Sequence, residues 1–174
     1  MSLPKPLSLS RTLLCLLPLA LVACGGGGGD PTEETNQGYA ALGSGDAESA
    51  LDHFASALGR LQPSDPGYPR ARMGEIEAKI RLKPDAAAKS FLTYAEQQPE
   101  QVGADAYHKI GMKLSENAAL GEAVAVLGAG LKRFPGDPKI DEALQKTQTA
   151  AEKSGDTGAL EALRGFGYAG GGDR

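Results

Sequence analysis

The amino-acid sequence predicts an all-α fold built from pairs of short helices. Apolar residues recur every three or four positions along most of the chain, which is the spacing of one helix face. Proline and glycine interrupt this pattern at short intervals, and we find no convincing run of alternating β-branched residues that would indicate a strand. The predicted helices lie near residues 33–43, 47–61, 69–82, 85–97, 104–116, 120–133, 138–153 and 157–165.

The helix near 120–133 has the clearest pattern. Leu120, Val124, Leu127 and Leu131 follow one another at intervals of four, three and four residues, so they lie on one helix face.

Acidic residues and prolines mark the predicted helix ends. Asp46 and Asp85 stand at helix starts, where a carboxylate accepts hydrogen bonds from free backbone amides. Proline lacks the amide hydrogen and clashes with the preceding turn, so it stops or restarts a helix. The prolines that divide the helices are Pro63, Pro84, Pro99 and Pro135.

The N-terminal region contains a short apolar segment that ends in Leu21-Val22-Ala23-Cys24. Lys5 and Arg11 stand before the apolar run at 12–22, and glycines 25–29 follow Cys24. This order is typical of secretion signals. The motif resembles the lipobox of bacterial lipoproteins. The resemblance implies cleavage before Cys24, a diacylglycerol on its sulfur and acylation of the new amino terminus. A plain secretory signal or a membrane anchor is the alternative, but a spanning helix needs roughly 20 apolar residues.

This interpretation divides the chain into four parts. They are a signal peptide at 1–23, the lipidated cysteine with a glycine-rich linker at 24–32, a helical repeat domain at 33–165 and a glycine-rich flexible tail at 166–174. The linker is expected to behave as a random coil. In the tail, Phe166 and Tyr168 are placed to fold back onto the last helix.

Composition argues against several classes of function. The whole chain carries a formal charge of −4, and loss of Lys5 and Arg11 with the signal leaves 16 basic against 22 acidic residues, or −6. An acidic balance argues against nucleic acid as a partner and against charge-driven binding to anionic lipid. Cys15 would leave with the signal and Cys24 would carry lipid, so no disulfide or cysteine-metal site is expected.

Two segments share a spacing of small and large residues. In the first, Gly38 and Gly45 are followed by Ala50 and Phe54. The matching residues of the second segment, 104–137, are Tyr107, Ile110, Gly111, Leu114, Ala123, Leu127, Leu131 and Pro135. Both segments resemble the tetratricopeptide repeat, a helix-turn-helix unit of about 34 residues.

The resemblance implies a short right-handed α-solenoid of stacked helix-turn-helix repeats over roughly residues 31–165. A degenerate unit lies at about 68–101, where Gly74 is one residue out of phase and a short length change is expected between the helices. The pair at 138–165 is a weak fourth unit or a capping pair. Such units stack because one pair alone cannot bury its apolar face. A plain antiparallel helical bundle is the structural alternative.

In this repeat family the first helices of the pairs line a concave groove that binds a segment of another protein. The resemblance therefore implies groove positions at Tyr39, Leu42, Arg72, Ile76, Lys79, His108 and Met112. The Lys and Asn pair with which some members of the family hold a terminal carboxylate is not matched by Thr35 and Tyr39. A mixed surface with Tyr39 and Met112 suits an extended or helical protein segment.

No pattern in the sequence indicates catalysis. His53 and His108 are the only imidazole bases, and no serine stands in a Gly-x-Ser-x-Gly turn. Glycines 25–29 lack the Lys-Ser/Thr of a phosphate-binding loop, and neither histidine has a second ligand at metal-binding spacing. We therefore expect no enzyme activity, no metal and no cofactor apart from the lipid on Cys24.

These observations lead us to expect a membrane-anchored scaffold or adaptor of the bacterial cell envelope that binds other proteins. Gly25, rather than Asp, after Cys24 fits sorting to the outer membrane in the enteric-type rule, with the protein facing the periplasm. One alternative is an assembly factor for outer-membrane proteins, pili or secretion machinery. Another is an accessory lipoprotein that binds a glycan or small ligand, although the chain has no Trp for an aromatic cleft.

Overall fold

A computed structural model describes residues 29–168, which are almost entirely helical and contain no strand. The predicted signal peptide, Cys24 and residues 169–174 of the predicted tail lie outside the described residues. The helices are α1 (Pro31–Ser44), α2 (Ala47–Leu58), α3 (Tyr68–Leu82), α4 (Pro84–Gln97), α5 (Ala104–Glu116), α6 (Leu120–Arg133), α7 (Pro138–Ser154) and α8 (Thr157–Arg164), with a 3-10 turn at Pro99–Gln101.

The largest difference from the predicted bounds is at the end of α2, which stops at Leu58 rather than at 61. The amides of Arg60 and Leu61 donate to the Ala57 carbonyl oxygen at 3.1 and 3.2 Å, so the chain leaves the helix in a tight turn. Pro63 then prevents the helix from resuming at once.

Aspartates begin four of the helices and satisfy backbone amides that a helix leaves free. These caps are Asp30, Asp46, Asp137 and Asp156. The predicted cap at Asp46 is confirmed by a 3.0 Å hydrogen bond from the Ser49 amide. Asp85 instead lies inside the first turn of α4, where its charge favours the helix dipole.

The helices form pairs that stack in chain order, as the sequence predicts. α1 packs on α2, α3 on α4, α5 on α6 and α7 on α8, and each first helix also contacts the first helix of the next pair. Between residues 29 and 168, every substantial contact between α-helices joins a helix to the next one or the next but one.

Two apolar clusters hold the stack together. The larger one runs through α3 to α8 and includes the fully buried side chains of Phe91, Ile110 and Leu127. The smaller one joins the first pair to α3, and its buried members are Leu42, Ala50, Phe54 and Ala78. The first pair therefore contributes little to the main core and is attached mainly through α3.

The second helices of the pairs do not all pack on one another. α4 packs on α6, and α6 packs on α8. By contrast, α2 makes no substantial contact with α4 in the described part of the chain. An opening therefore separates α2 from α4 on the side of the stack away from the first helices.

Phe54 is held between glycines of two neighbouring first helices. A Cβ atom on Gly38 of α1 would lie 2.7 Å from the Phe54 ring, and one on Gly74 of α3 would also lie inside the 3.0 Å that real Cβ atoms keep. Gly111 of α5 faces Leu127 of its own pair in the same way. Gly74 thus packs on the preceding pair rather than on its own, which agrees with its position out of phase with the repeat.

Residues 166–168, the first of the predicted tail, pack against the helices. The Phe166 ring packs against Gly128 of α6, and the Tyr168 hydroxyl donates to Asp141 Oδ1 of α7 at 2.8 Å. The absence of a side chain at Gly128 leaves room for the Phe166 ring on α6. The packed domain therefore extends through Tyr168.

We expect Gly74→Ala to destabilise the protein by about 1–3 kcal/mol, because the added methyl group would overlap the Phe54 ring. The better helix propensity of alanine, worth up to about 1 kcal/mol, offsets only part of this cost. Urea unfolding followed by circular dichroism measures the difference. As a control, Gly43→Ala adds a methyl group with no atom within 4 Å and should be at least as stable as the parent. Equal stability of the two variants would contradict the close approach of α3 to Phe54.

Candidate functional site

The first helices of the pairs, α1, α3, α5 and α7, lie side by side in that order, and we call the surface they share the first-helix face. The sequence analysis predicts that a partner protein binds on this surface. Polar side chains connect each of these helices to the next. Their positions determine which groups remain exposed to a binding partner.

Tyr39 connects α1 to α3. Its ring meets Phe54 edge-on with 5.1 Å between centroids, and its hydroxyl donates to the Arg70 carbonyl oxygen at 2.9 Å. The Arg70 guanidinium lies 5.1 Å from the centre of the Tyr39 ring and donates to the Asn36 side chain at 2.8 Å. Burial, together with the nearby Glu77 carboxylate, raises the pKa of Tyr39 to about 12, so its hydroxyl remains a donor at neutral pH.

Glu77 connects α3 to α5. Its side chain is only 9% exposed, and its carboxylate lies 2.5 Å from Lys109 Nζ and 3.2 Å from Lys113 Nζ. The two lysines are 52% and 39% exposed, so they cover the carboxylate and carry positive charge at the surface. A buried carboxylate needs such partners because transfer of an isolated charge out of water is costly.

Asp105 and Lys139 connect α5 to α7. The ammonium group of Lys139 lies 2.6 Å from Asp105 Oδ1, and both side chains are well exposed. The hydrogen bond from Lys139 lowers the pKa of Asp105, with a smaller contribution from His108. His108 also contributes to the lowered pKa of Glu142, which is due mainly to a hydrogen bond from Lys146. His108 therefore lies among charged groups of α5 and α7.

Most polar side-chain contacts between neighbouring pairs join residues that are about one repeat apart. Asn36 and Arg70 are 34 residues apart, and so are Asp105 and Lys139. The other hydrogen bonds of this kind join residues 31 to 39 positions apart. This spacing agrees with a helix-pair unit of about 34 residues.

The predicted groove residues do not form one surface. Tyr39, His108 and Met112 lie on first helices and are partly buried, and Met112 packs against the larger apolar cluster. Leu42 and Ile76 lie in the apolar clusters with 7% and 0% of their surface exposed, so neither is available to a partner. These two residues are therefore removed from the candidate surface.

Arg72 and Lys79 lie on another side of α3. Both pair with Glu75, and the Lys79 ammonium is 2.7 Å from its carboxylate. Lys79 is two residues from Glu77, which is about 200° around the helix, and it faces α2 and α4 rather than α5. The repeat pattern misplaces these residues because the second unit is degenerate and does not fix the rotation of α3.

Sequence reasoning missed the charged residues that connect the first helices. These are Arg70, Glu77, Lys109 and Lys139. A search for opposite charges about one repeat apart would have found the pair of Asp105 and Lys139, because both stand at exposed positions of first helices. It would not have shown that Glu77 is buried.

His53 has a structural position in the first pair. Its Nδ1 atom lies 2.9 Å from Glu34 Oε2, and the Arg60 guanidinium forms a further ion pair with Glu34 at 3.6 Å. The hydrogen bond with His53 lowers the pKa of Glu34, and the Arg60 charge adds to this effect. The three side chains together join α1 to α2.

In the described part of the chain, no group of three or more His, Cys, Asp or Glu side chains is arranged to hold a metal ion. Among the helices between residues 29 and 168, none combines the length and the apolar character that a bilayer crossing requires.

Comparisons of this chain with models of protein families, with curated proteins and with solved structures gave no match.

We expect Glu77→Gln to reduce the free energy of unfolding by about 1–3 kcal/mol, because a neutral amide forms no ion pair with Lys109 or Lys113. Urea unfolding at neutral pH measures the change. The control is Glu142→Gln, which removes an ion pair to Lys146 in which both side chains are well exposed. That substitution should cost less than Glu77→Gln, because an exposed ion pair contributes little to stability. Equal losses would show that burial of Glu77 does not strengthen its contacts.

Proposed function

We propose that this chain is a lipid-anchored scaffold of the bacterial cell envelope, with the first-helix face as the surface that binds a segment of a partner protein. The observation that carries the proposal is the continuous side of α1, α3, α5 and α7, in which side-chain contacts fix each helix against the next. A surface fixed in this way loses little conformational entropy when a partner binds, which favours recognition.

Two observations support a tetratricopeptide-like solenoid, which the repeat family winds as a right-handed superhelix, over a plain antiparallel bundle. The helices contact only near neighbours along the chain within residues 29–168, whereas the first and last helices of a closed bundle would also meet. The contacts between pairs also join residues about one repeat apart. Both features are expected of repeats that stack in one direction.

The sequence around Cys24 supports the lipid anchor and the outer-membrane location. Helix α1 begins at Pro31, so only residues 24–30 would separate the lipid from the first helix. A glycine-rich linker of this length has a root-mean-square span of roughly 15 Å. The first pair would then be held near the membrane surface.

Of the two alternatives, an assembly factor for outer-membrane proteins, pili or secretion machinery would use the same surface. A glycan-binding role has less support, because sugars stack on exposed aromatic faces. The rings of Tyr39, Tyr94 and Tyr107 are instead packed against other aromatic rings.

In-cell crosslinking followed by mass spectrometry tests the partner-binding surface. We expect a dominant envelope protein to crosslink to the parent and to be lost from the double variant His108→Ala/Met112→Ala. Both residues lie on α5, one of the first helices, and neither pairs with Glu77. The matched control is Lys89→Ala/Thr93→Ala, at the same i,i+4 spacing on exposed positions of α4. Equal crosslinking in the two double variants would contradict the proposed surface.

Metabolic labelling with a fatty acid tests the anchor. We expect Cys24→Ser to lose all lipid label and to leave the membrane fraction, because Cys24 would provide the sulfur that carries the diacylglycerol. The matched control is Cys15→Ser, which alters a cysteine of the proposed signal peptide and should retain the label. Full labelling of Cys24→Ser would contradict the lipoprotein interpretation.

A further inference from the structure

A second surface feature lies away from the first-helix face. It is a cleft of about 560 Å³ between α2, the C-terminal end of α3 and the first turn of α4. Its lining residues are Glu48, Leu51, Asp52, Lys79, Leu82, Lys83 and Ala86. We call it the α2–α4 cleft.

The cleft exists because α2 and α4 do not pack on each other as the later second helices do. α4 and α6 are in contact, as are α6 and α8, but the corresponding contact between α2 and α4 is not made to any substantial extent. Leu82, in this opening, is 38% exposed and is the one large apolar residue between 29 and 168 that is exposed to this degree. Leu51 and Ala86 supply further apolar surface beside it.

The charges around the cleft leave an excess of one negative charge, because Glu48 and Asp52 are set against Lys83 alone once Lys79 is paired with Glu75. Lys79 is neutralised by Glu75 at 2.7 Å and also lies 3.3 Å from the Ser90 hydroxyl. Glu48 and Asp52, in contrast, form no ion pair and no side-chain hydrogen bond with any residue between 29 and 168. They are one helical turn apart on the same face of α2, where like charges repel.

We infer that the α2–α4 cleft binds a segment of a partner protein that carries a basic side chain next to an aliphatic one. The aliphatic side chain packs on Leu51, Leu82 and Ala86 and removes apolar surface from water. The Lys or Arg of the segment lies between Glu48 and Asp52 and relieves the repulsion between them.

This surface is independent of the first-helix face. On α3, Glu77 points toward the lysines of α5, whereas Lys79 and Leu82 line the cleft. A partner could therefore occupy the cleft whether or not another protein binds the first-helix face, and the two sites can be altered separately.

Peptide display tests the inference. Short random peptides displayed on phage are selected on the full chain, purified in mild detergent. Selected peptides should be enriched in Lys or Arg beside Leu, Ile or Met, and the best of them is then labelled with a fluorophore for binding measured by anisotropy. Its affinity should fall at least about tenfold, or 1.4 kcal/mol, for Glu48→Lys/Asp52→Lys and for Leu82→Glu.

The control separates a specific site from the general attraction of basic peptides to an acidic protein. Glu96→Lys/Glu161→Lys makes the same change in net charge at exposed positions of α4 and α8, and it should bind the selected peptide like the parent. Enrichment of acidic peptides, no enrichment, or equal losses in the two double variants would overturn the inference. Self-association of the parent that is lost in Leu82→Glu would also overturn it, because the occupant would then be a second copy. Circular dichroism establishes that each variant is folded.

Discussion

The contact that attaches the first helix pair to the rest of the stack is the insertion of Phe54 between Gly38 and Gly74. The ring is fully buried, yet it belongs to the small apolar cluster that joins the first pair to α3. Glycine is needed on both sides because a Cβ atom at either position would overlap the ring. The position of α1 and α2 relative to the other helices therefore depends on two backbone segments that approach one aromatic ring.

This contact also accounts for the two surfaces. Because the first pair is held mainly through α3, its second helix need not pack on α4, and the α2–α4 cleft remains open. On the other side, the close approach of α1 to α3 brings Tyr39 within hydrogen-bond distance of the Arg70 carbonyl oxygen. One packing arrangement thus produces a fixed face and an open cleft on opposite sides of the first two pairs.

The sequence predicts the helices well because proline, aspartate and glycine act locally, within one or two turns. It predicts groove residues less well because rotation of a helix is decided by tertiary packing. α3 shows the difference: its bounds are predicted to within one residue, but Ile76 lies in the core and Lys79 lines the cleft. The contacts of Phe166 with α6 and of Tyr168 with α7 could not be predicted either, because they depend on how the helices pack in the complete domain.

The two surfaces should differ in what their charges contribute to binding. On the first-helix face, Glu77 and Asp105 already have cationic partners, so a ligand must replace existing contacts and gains little from charge. Specificity there has to come from side chains such as Met112 and from the fixed arrangement of the helices. In the cleft, Glu48 and Asp52 have no such partners within the described chain, and a basic ligand relieves a repulsion that is present in the free protein. Binding in the cleft should therefore be more sensitive to salt than binding on the first-helix face.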